Sequence, residues 1–90
     1  PVRIQPSTHV MYRRLEDRMV LIHLRSNGIF DLNETSARLW ELLALDSDLP
    51  TIEAQLAQEF SVDAEIVHGE VAATLSIFAE NDLIIGYDHR

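Results

Sequence analysis

Ninety residues, 47% apolar and 24% charged, make one small globular domain and exclude both disorder and a second cored unit. Cysteine is absent, which excludes a disulfide framework, a thiolate metal site and a cysteine nucleophile. The net charge of −8 is split: residues 1–30 carry +3 (five arginines against Glu16 and Asp17) and residues 31–90 carry −11, a balance that speaks against wrapping a polyanion.

In chain order, residues 1–8, with Pro1, Pro6, Ser7 and Thr8, read as a flexible lead-in. His9–Leu15 is rich in strand formers, and Glu16-Asp17 follows as a turn. Arg18–Leu24 is a second strand. Val20, Ile22 and Leu24 share one face, Met19, Leu21 and His23 the other, so a central strand covered on both sides is expected. Asn27-Gly28 signals a hairpin, because both residue types accept positive φ. The third strand is Ile29–Leu32, at the edge of a three-stranded antiparallel meander.

Asn33 then caps a first helix, with Glu34 in its first turn and Ser36, Leu39, Trp40 and Leu43 as the buried stripe. Asp46-Ser47-Asp48 ends it. Pro50 opens a short second helix with Ile52, Leu56 and Phe60 on one face. Asp63 caps a third helix over Ala64–Glu80, which Asn81-Asp82 stops. Leu83–Tyr87 is a short apolar tail, either a strand or a segment packed across the core. The order predicts an α+β winged helix-turn-helix, with an N-terminal three-stranded antiparallel sheet followed by three helices, over residues 9–87.

Few side chains are placed to carry out catalysis or bind a metal. The four histidines are scattered without metal-ligand spacing, so no metal and no cofactor are expected, and His23 reads as a packing residue. No Gly-x-Ser-x-Gly elbow and no Gly-rich phosphate loop exist, so the protein is not expected to be an enzyme. The longest apolar runs, Met19–Ile22 and Leu42–Leu45, are too short to cross a bilayer; no membrane partner and a cytoplasmic location are expected. The helix-turn-helix outline raises a nucleic-acid-binding regulator as the alternative function. Its recognition helix would carry Glu65, Glu70 and Glu80 and no Arg or Lys, which opposes phosphate contact.

The third helix is unusual in having two apolar stripes. Val67, Val71, Thr74, Leu75 and Phe78 form one; Ile66, Ala73 and Ile77 form another about a third of a turn away. The first suffices for a core. The second would line a groove beside the edge strand, with Glu70 at its margin, which suits an extended peptide added as a strand. An assembly domain that dimerises through the same edge is a third reading.

The run Val20-Leu21-Ile22-His23-Leu24, followed by Asn27-Gly28-Ile29-Phe30-Asp31-Leu32-Asn33-Glu34-Thr35-Ser36-Ala37-Arg38-Leu39-Trp40, resembles the PqqD family. Thr51-Ile52, Leu56, Phe60, Val62-Asp63 and the closing Asn81-Asp82-Leu83-Ile84 match its layout. The resemblance implies a recognition element for ribosomally made, modified peptides, which captures a precursor's leader segment as a fourth strand and performs no chemistry. It implies peptide-binding residues Ile29, Phe30, Asp31 and Leu32 on the strand, and Ile66, Glu70, Val71, Ala73, Thr74 and Ile77 on the helix, the split among the latter resting on periodicity. Where members from quinone-cofactor biosynthesis carry a Pro-Glu-(Arg/Lys) run, this chain has Arg25-Ser26-Asn27-Gly28, and so it resembles more the stand-alone proteins of lasso-peptide clusters. The partners then implied are the precursor leader peptide, a cysteine-protease subunit and an asparagine-synthetase-like cyclase.

Overall fold

The computed structural model describes residues 3–87. A three-stranded antiparallel sheet forms first: β2 (Val10–Arg14), β3 (Met19–His23) and β4 (Ile29–Leu32), with β3 in the centre. A strand of two residues, β1 (Gln5–Pro6), precedes it. Three helices follow, α1 (Glu34–Ala44), α2 (Leu49–Phe60) and α3 (Ala64–Glu80), and then β5 (Ile84–Ile85). This is the α+β winged-helix order expected from the sequence.

Local chemistry sets the helix boundaries. The Asn33 side chain accepts a hydrogen bond from the Ser36 N–H (2.9 Å), and Asp48 accepts one from Thr51 N–H (2.9 Å), so both caps satisfy an orphan helix donor. The Thr51 hydroxyl, and after it that backbone N–H, hold the Asp48 carboxyl below its ordinary pKa. Asp63 sits at the N-cap of α3 but its side chain makes no capping bond. Arg38 of α1 donates twice to Glu59 of α2, at 2.9 and 3.0 Å, clamping the two helices together. The same bonds raise the Arg38 pKa and lower that of Glu59.

Trp40 is fully buried at the centre, edge-on to Phe78 of α3 (5.7 Å) and to Tyr12 of β2 (6.2 Å). Around it lie Met19 and Leu21 from the sheet, Leu39, Leu42 and Leu43 from α1, Ile52 and Leu56 from α2, and Val67, Val71 and Leu75 from α3. Ser36, expected in the buried stripe of the first helix, is only half-buried; Ala37 and Leu42 are buried instead.

Three expectations need correction. The lead-in over residues 1–8 is tied down within its described part: Gln5 and Pro6 pair antiparallel with Ile85 and Ile84, and Ser7 N–H donates to the Leu83 carbonyl at 2.8 Å. Residues 1 and 2 lie outside the described residues. The anchoring strand sits at the far end of the chain, so no local pattern announces it. Second, β3 is covered on one face only. Met19, Leu21 and His23 are buried, whereas Ile22 and Leu24 are 42% and 55% exposed. Third, the β3–β4 connection spans residues 24–28 and is not a two-residue turn; His23 N–H donates to the Gly28 carbonyl across it. Asn27 alone is left-handed (φ 63°); a Cβ on Gly28 would meet the tip of the Phe30 ring at 2.9 Å and push it aside.

His23 fastens that loop. Its Nδ1 accepts hydrogen bonds from the Arg25 and Ser26 N–H groups (3.2 and 3.3 Å), leaving the proton on Nε2, which donates to the Asp82 carboxylate at 3.2 Å. The start of β4 is thereby anchored to the C-terminal end of α3.

Candidate functional site

The phase of the β3–β4 ladder decides which backbone groups are free. His23 pairs with Gly28, so the alternation of an antiparallel ladder turns the N–H and C=O groups of Phe30 and Leu32 toward β3. The N–H and C=O groups of Ile29 and Asp31 therefore point away from the sheet. Among the described residues no strand pairs with that side of β4, since β5 pairs with β1.

The helix opposite this edge is α3. Its buried residues are Val67, Val71, Leu75 and Phe78. The stripe of Ile66, Glu70, Ala73 and Ile77 is exposed, with Ile66 at 52% and Ile77 at 55%, and Thr74 lies between the two stripes, half-buried. The orientation of the trough follows from its two ends. The His23–Asp82 bond places the start of β4 near the C-terminal end of α3. At the other end, Asn33, which follows β4, shares a cavity with Val67, Glu70, Val71, Ala73 and Thr74. Strand and helix thus run in opposite directions, with Ile77 toward Ile29 and Glu70 toward Asn33.

That cavity measures about 330 Å³. Its apolar walls are Leu39, Leu56, Phe60, Val62, Val67 and Val71; Asn33, Thr35, Ser36, Glu70 and Thr74 supply polar groups. The chemistry is that of a side-chain pocket, an apolar enclosure with a few polar groups to fix orientation. Glu70 is exposed and has no ion-pair partner among the described residues, so its carboxylate is open to a hydrogen-bond donor. Among the described residues no three metal-ligating side chains converge, and no helix is long and apolar enough to cross a membrane.

Of the ten residues singled out in the sequence, Ile29 and Asp31 present free backbone groups, with exposed side chains on the sheet's outer face. Phe30 is half-buried, and Leu32 is 7% exposed and belongs to the core. Glu70, Val71, Ala73 and Thr74 line the cavity; Val71 does so from the core. Ile77 and Ile66 are exposed on α3 outside the cavity lining. The contributions of Asn33, Thr35, Ser36, Leu39 and the α2–α3 residues Leu56, Phe60, Val62 and Val67 escaped the sequence reading. One signal was present: Ser36 is small and polar at a stripe position where a larger apolar residue would fill the cavity.

The sequence profile of the family described as coenzyme PQQ synthesis protein D (PqqD) matches residues 18–84. The fold is similar to that of "TbiB1 in Complex with the TbiA(beta) Leader Peptide", with 28% identity, a TM-score of 0.89, and 93% of this chain and 98% of that chain covered. It is also similar to "Lasso peptide synthetase B1 complexed with the leader peptide", at 20% identity and a TM-score of 0.84, with 93% and 99% covered; at that identity the likeness is one of fold. No curated protein sequence matches the chain.

Proposed function

This chain belongs to the PqqD family, and from that premise we propose that it binds the leader segment of a ribosomally made precursor peptide, of the lasso class, by strand addition. The observation that carries the reading is the open edge of β4, with Ile29 and Asp31 turned outward beside the exposed stripe of α3. A guest strand laid there gains main-chain ladder bonds, which supply affinity without regard to sequence. Its alternate side chains on the inner side enter the trough, and the cavity behind Asn33 takes one apolar side chain as an anchor. The solved protein that shares 28% identity is described with a leader peptide bound, which supports the same role here.

The chain does no chemistry itself in this proposal. It holds the leader while a cysteine-protease subunit removes it and an asparagine-synthetase-like cyclase acts on the remainder. The protein acts in the cytoplasm, where precursor peptides are made. The peptide-binding set is the backbone of Ile29 and Asp31, the flanking side chain of Phe30, and Glu70, Val71, Ala73, Thr74 and Ile77, with Ile66 at the far end and Leu32 as core support.

The deciding experiment is fluorescence anisotropy of a labelled leader peptide encoded beside this gene. Saturable binding, competed by unlabelled leader and not by a scrambled sequence, is expected. Absence of binding, or equal binding of the scrambled peptide, refutes the proposal. A gel shift on mixed duplex DNA at low salt checks the regulator alternative; no shift is expected, since α3 carries no Arg or Lys.

A further inference from the structure

Asp82 occupies a position whose local setting disfavours it. It follows the C-terminus of α3 with a left-handed backbone (φ 58°); its N–H donates to the Ala79 carbonyl at 3.1 Å, and the Leu83 N–H donates to the Phe78 carbonyl at 2.9 Å. Glycine and asparagine are the residues that suit such a helix stop. A carboxylate there also opposes the partial negative charge of the helix end, and the last turn of α3 carries no basic residue to offset it. Two local costs at one residue point to a gain made elsewhere.

The gain lies at the start of the capture edge. The Asp82 side chain is 77% exposed, yet its Oδ2 accepts from the His23 ring, which is only 2% exposed. That residue organises the whole β3–β4 connection. Its Nδ1 accepts from the Arg25 and Ser26 N–H groups, its carbonyl accepts from Asn27 N–H, and the Ser26 hydroxyl accepts from Gly28 N–H. The Leu24 N–H donates to the His9 carbonyl at 2.8 Å. Every amide over residues 24–28 is therefore satisfied, most of them by His23. The connection is wound around one imidazole, and Asp82 holds the remaining nitrogen of that ring.

Ile29 comes next in the chain and presents the first outward N–H and C=O of the open edge. Ile77 of α3 faces the same end of the trough. The His23–Asp82 bond thus ties the two walls of the trough together where the strand starts and the helix ends. We propose that His23 and Asp82 are a positioning pair for peptide capture: they fix the separation of β4 from α3 at the Ile29–Ile77 end and hold the first ladder groups of the edge ready for a guest. This rests on the leader-binding reading above. Without the bond, the guest has to order the connection and the start of the edge as it binds, and affinity falls by that cost.

The test uses the full chain and the labelled leader. Asp82→Gly keeps the left-handed backbone and removes the acceptor. Leader Kd is expected to rise about five- to tenfold, while Tm changes little because the substitution also relieves both local costs. Asp82→Asn keeps the backbone conformation and an acceptor oxygen, and restores affinity to within about twofold of the wild type. In double-mutant cycles on leader affinity, Asp82→Gly couples with Ile77→Ala at its own end of the trough and adds independently with Glu70→Ala at the other. A general loosening of the fold would treat the two ends alike. Unchanged leader affinity in Asp82→Gly, no restoration by Asp82→Asn, or equal coupling to Ile77 and Glu70 overturns the proposal and leaves the leader-binding reading standing. Failure of the wild-type chain to bind leader strikes that reading itself.

Discussion

Two neighbouring proline substitutions separate the capture edge from the fold. Proline removes one N–H donor and fixes φ at about −65°. At Ile29 that donor points to the open side of β4; at Phe30 it belongs to the ladder with Leu21. Ile29→Pro therefore removes a bond to the guest. A ladder bond is worth about 1 kcal/mol net, and the guest carbonyl left without a donor in a half-dry trough costs about 1–3 kcal/mol. A loss of about 2 kcal/mol corresponds to about a thirtyfold rise in leader Kd. The cost to folding is small, because Ile29 is 71% exposed and gives up no ladder bond. Phe30→Pro breaks the β3–β4 ladder and deletes a ring packed against the core, for about 2–3 kcal/mol of stability. In a domain of this size that is a fall in Tm of about 10 °C or more. Leader anisotropy and thermal unfolding on both variants, with Ile29→Ala to correct for the lost side chain, read the two quantities. Wild-type leader affinity in a folded Ile29→Pro protein would refute strand addition at this edge.

Ile77→Asp is expected to weaken leader binding by about 1 kcal/mol or more while moving stability by no more than about 0.5 kcal/mol, since Ile77 is largely exposed. Equal losses in anisotropy and in thermal unfolding would place Ile77 in the core. Leu75→Ala, at 1% exposure on the buried stripe, should cost about 2–5 kcal/mol of stability in urea titration. The Glu59 carboxylate, lowered in pKa first by the Arg38 hydrogen bond and then by Gln55, stabilises the α1–α2 clamp fully above its ordinary value of 4.5 and loses that contribution as pH falls through the depressed folded value. Tm followed downward across that window should therefore drop less steeply in Glu59→Gln than in the wild-type protein; identical slopes would show that the clamp contributes nothing.

Much of this molecule is legible as local pattern. The 3.6-residue stripes, the Asn33 cap and Pro50 act within a few residues of themselves, so they announce the helices directly, and Asn27-Gly28 marks the hairpin though not its turn type. The second stripe of α3 is likewise readable, because Ile66, Ala73 and Ile77 exceed what one buried face requires.

Long-range arrangement decided the rest. A strand apolar on both sides does not reveal whether its second face is covered; only the placement of all three helices on one side leaves Ile22 and Leu24 in the open. Ladder phase, set by the His23–Gly28 pairing, determines that Ile29 and Asp31 rather than Phe30 face the vacant edge, because a one-residue slip would exchange them. The cavity joins Asn33 to Phe60 and Val67, residues on different elements that no sequence period relates. Residue types and their spacing thus determine each element from its own neighbours, whereas register, coverage and the pocket arise only where distant segments meet.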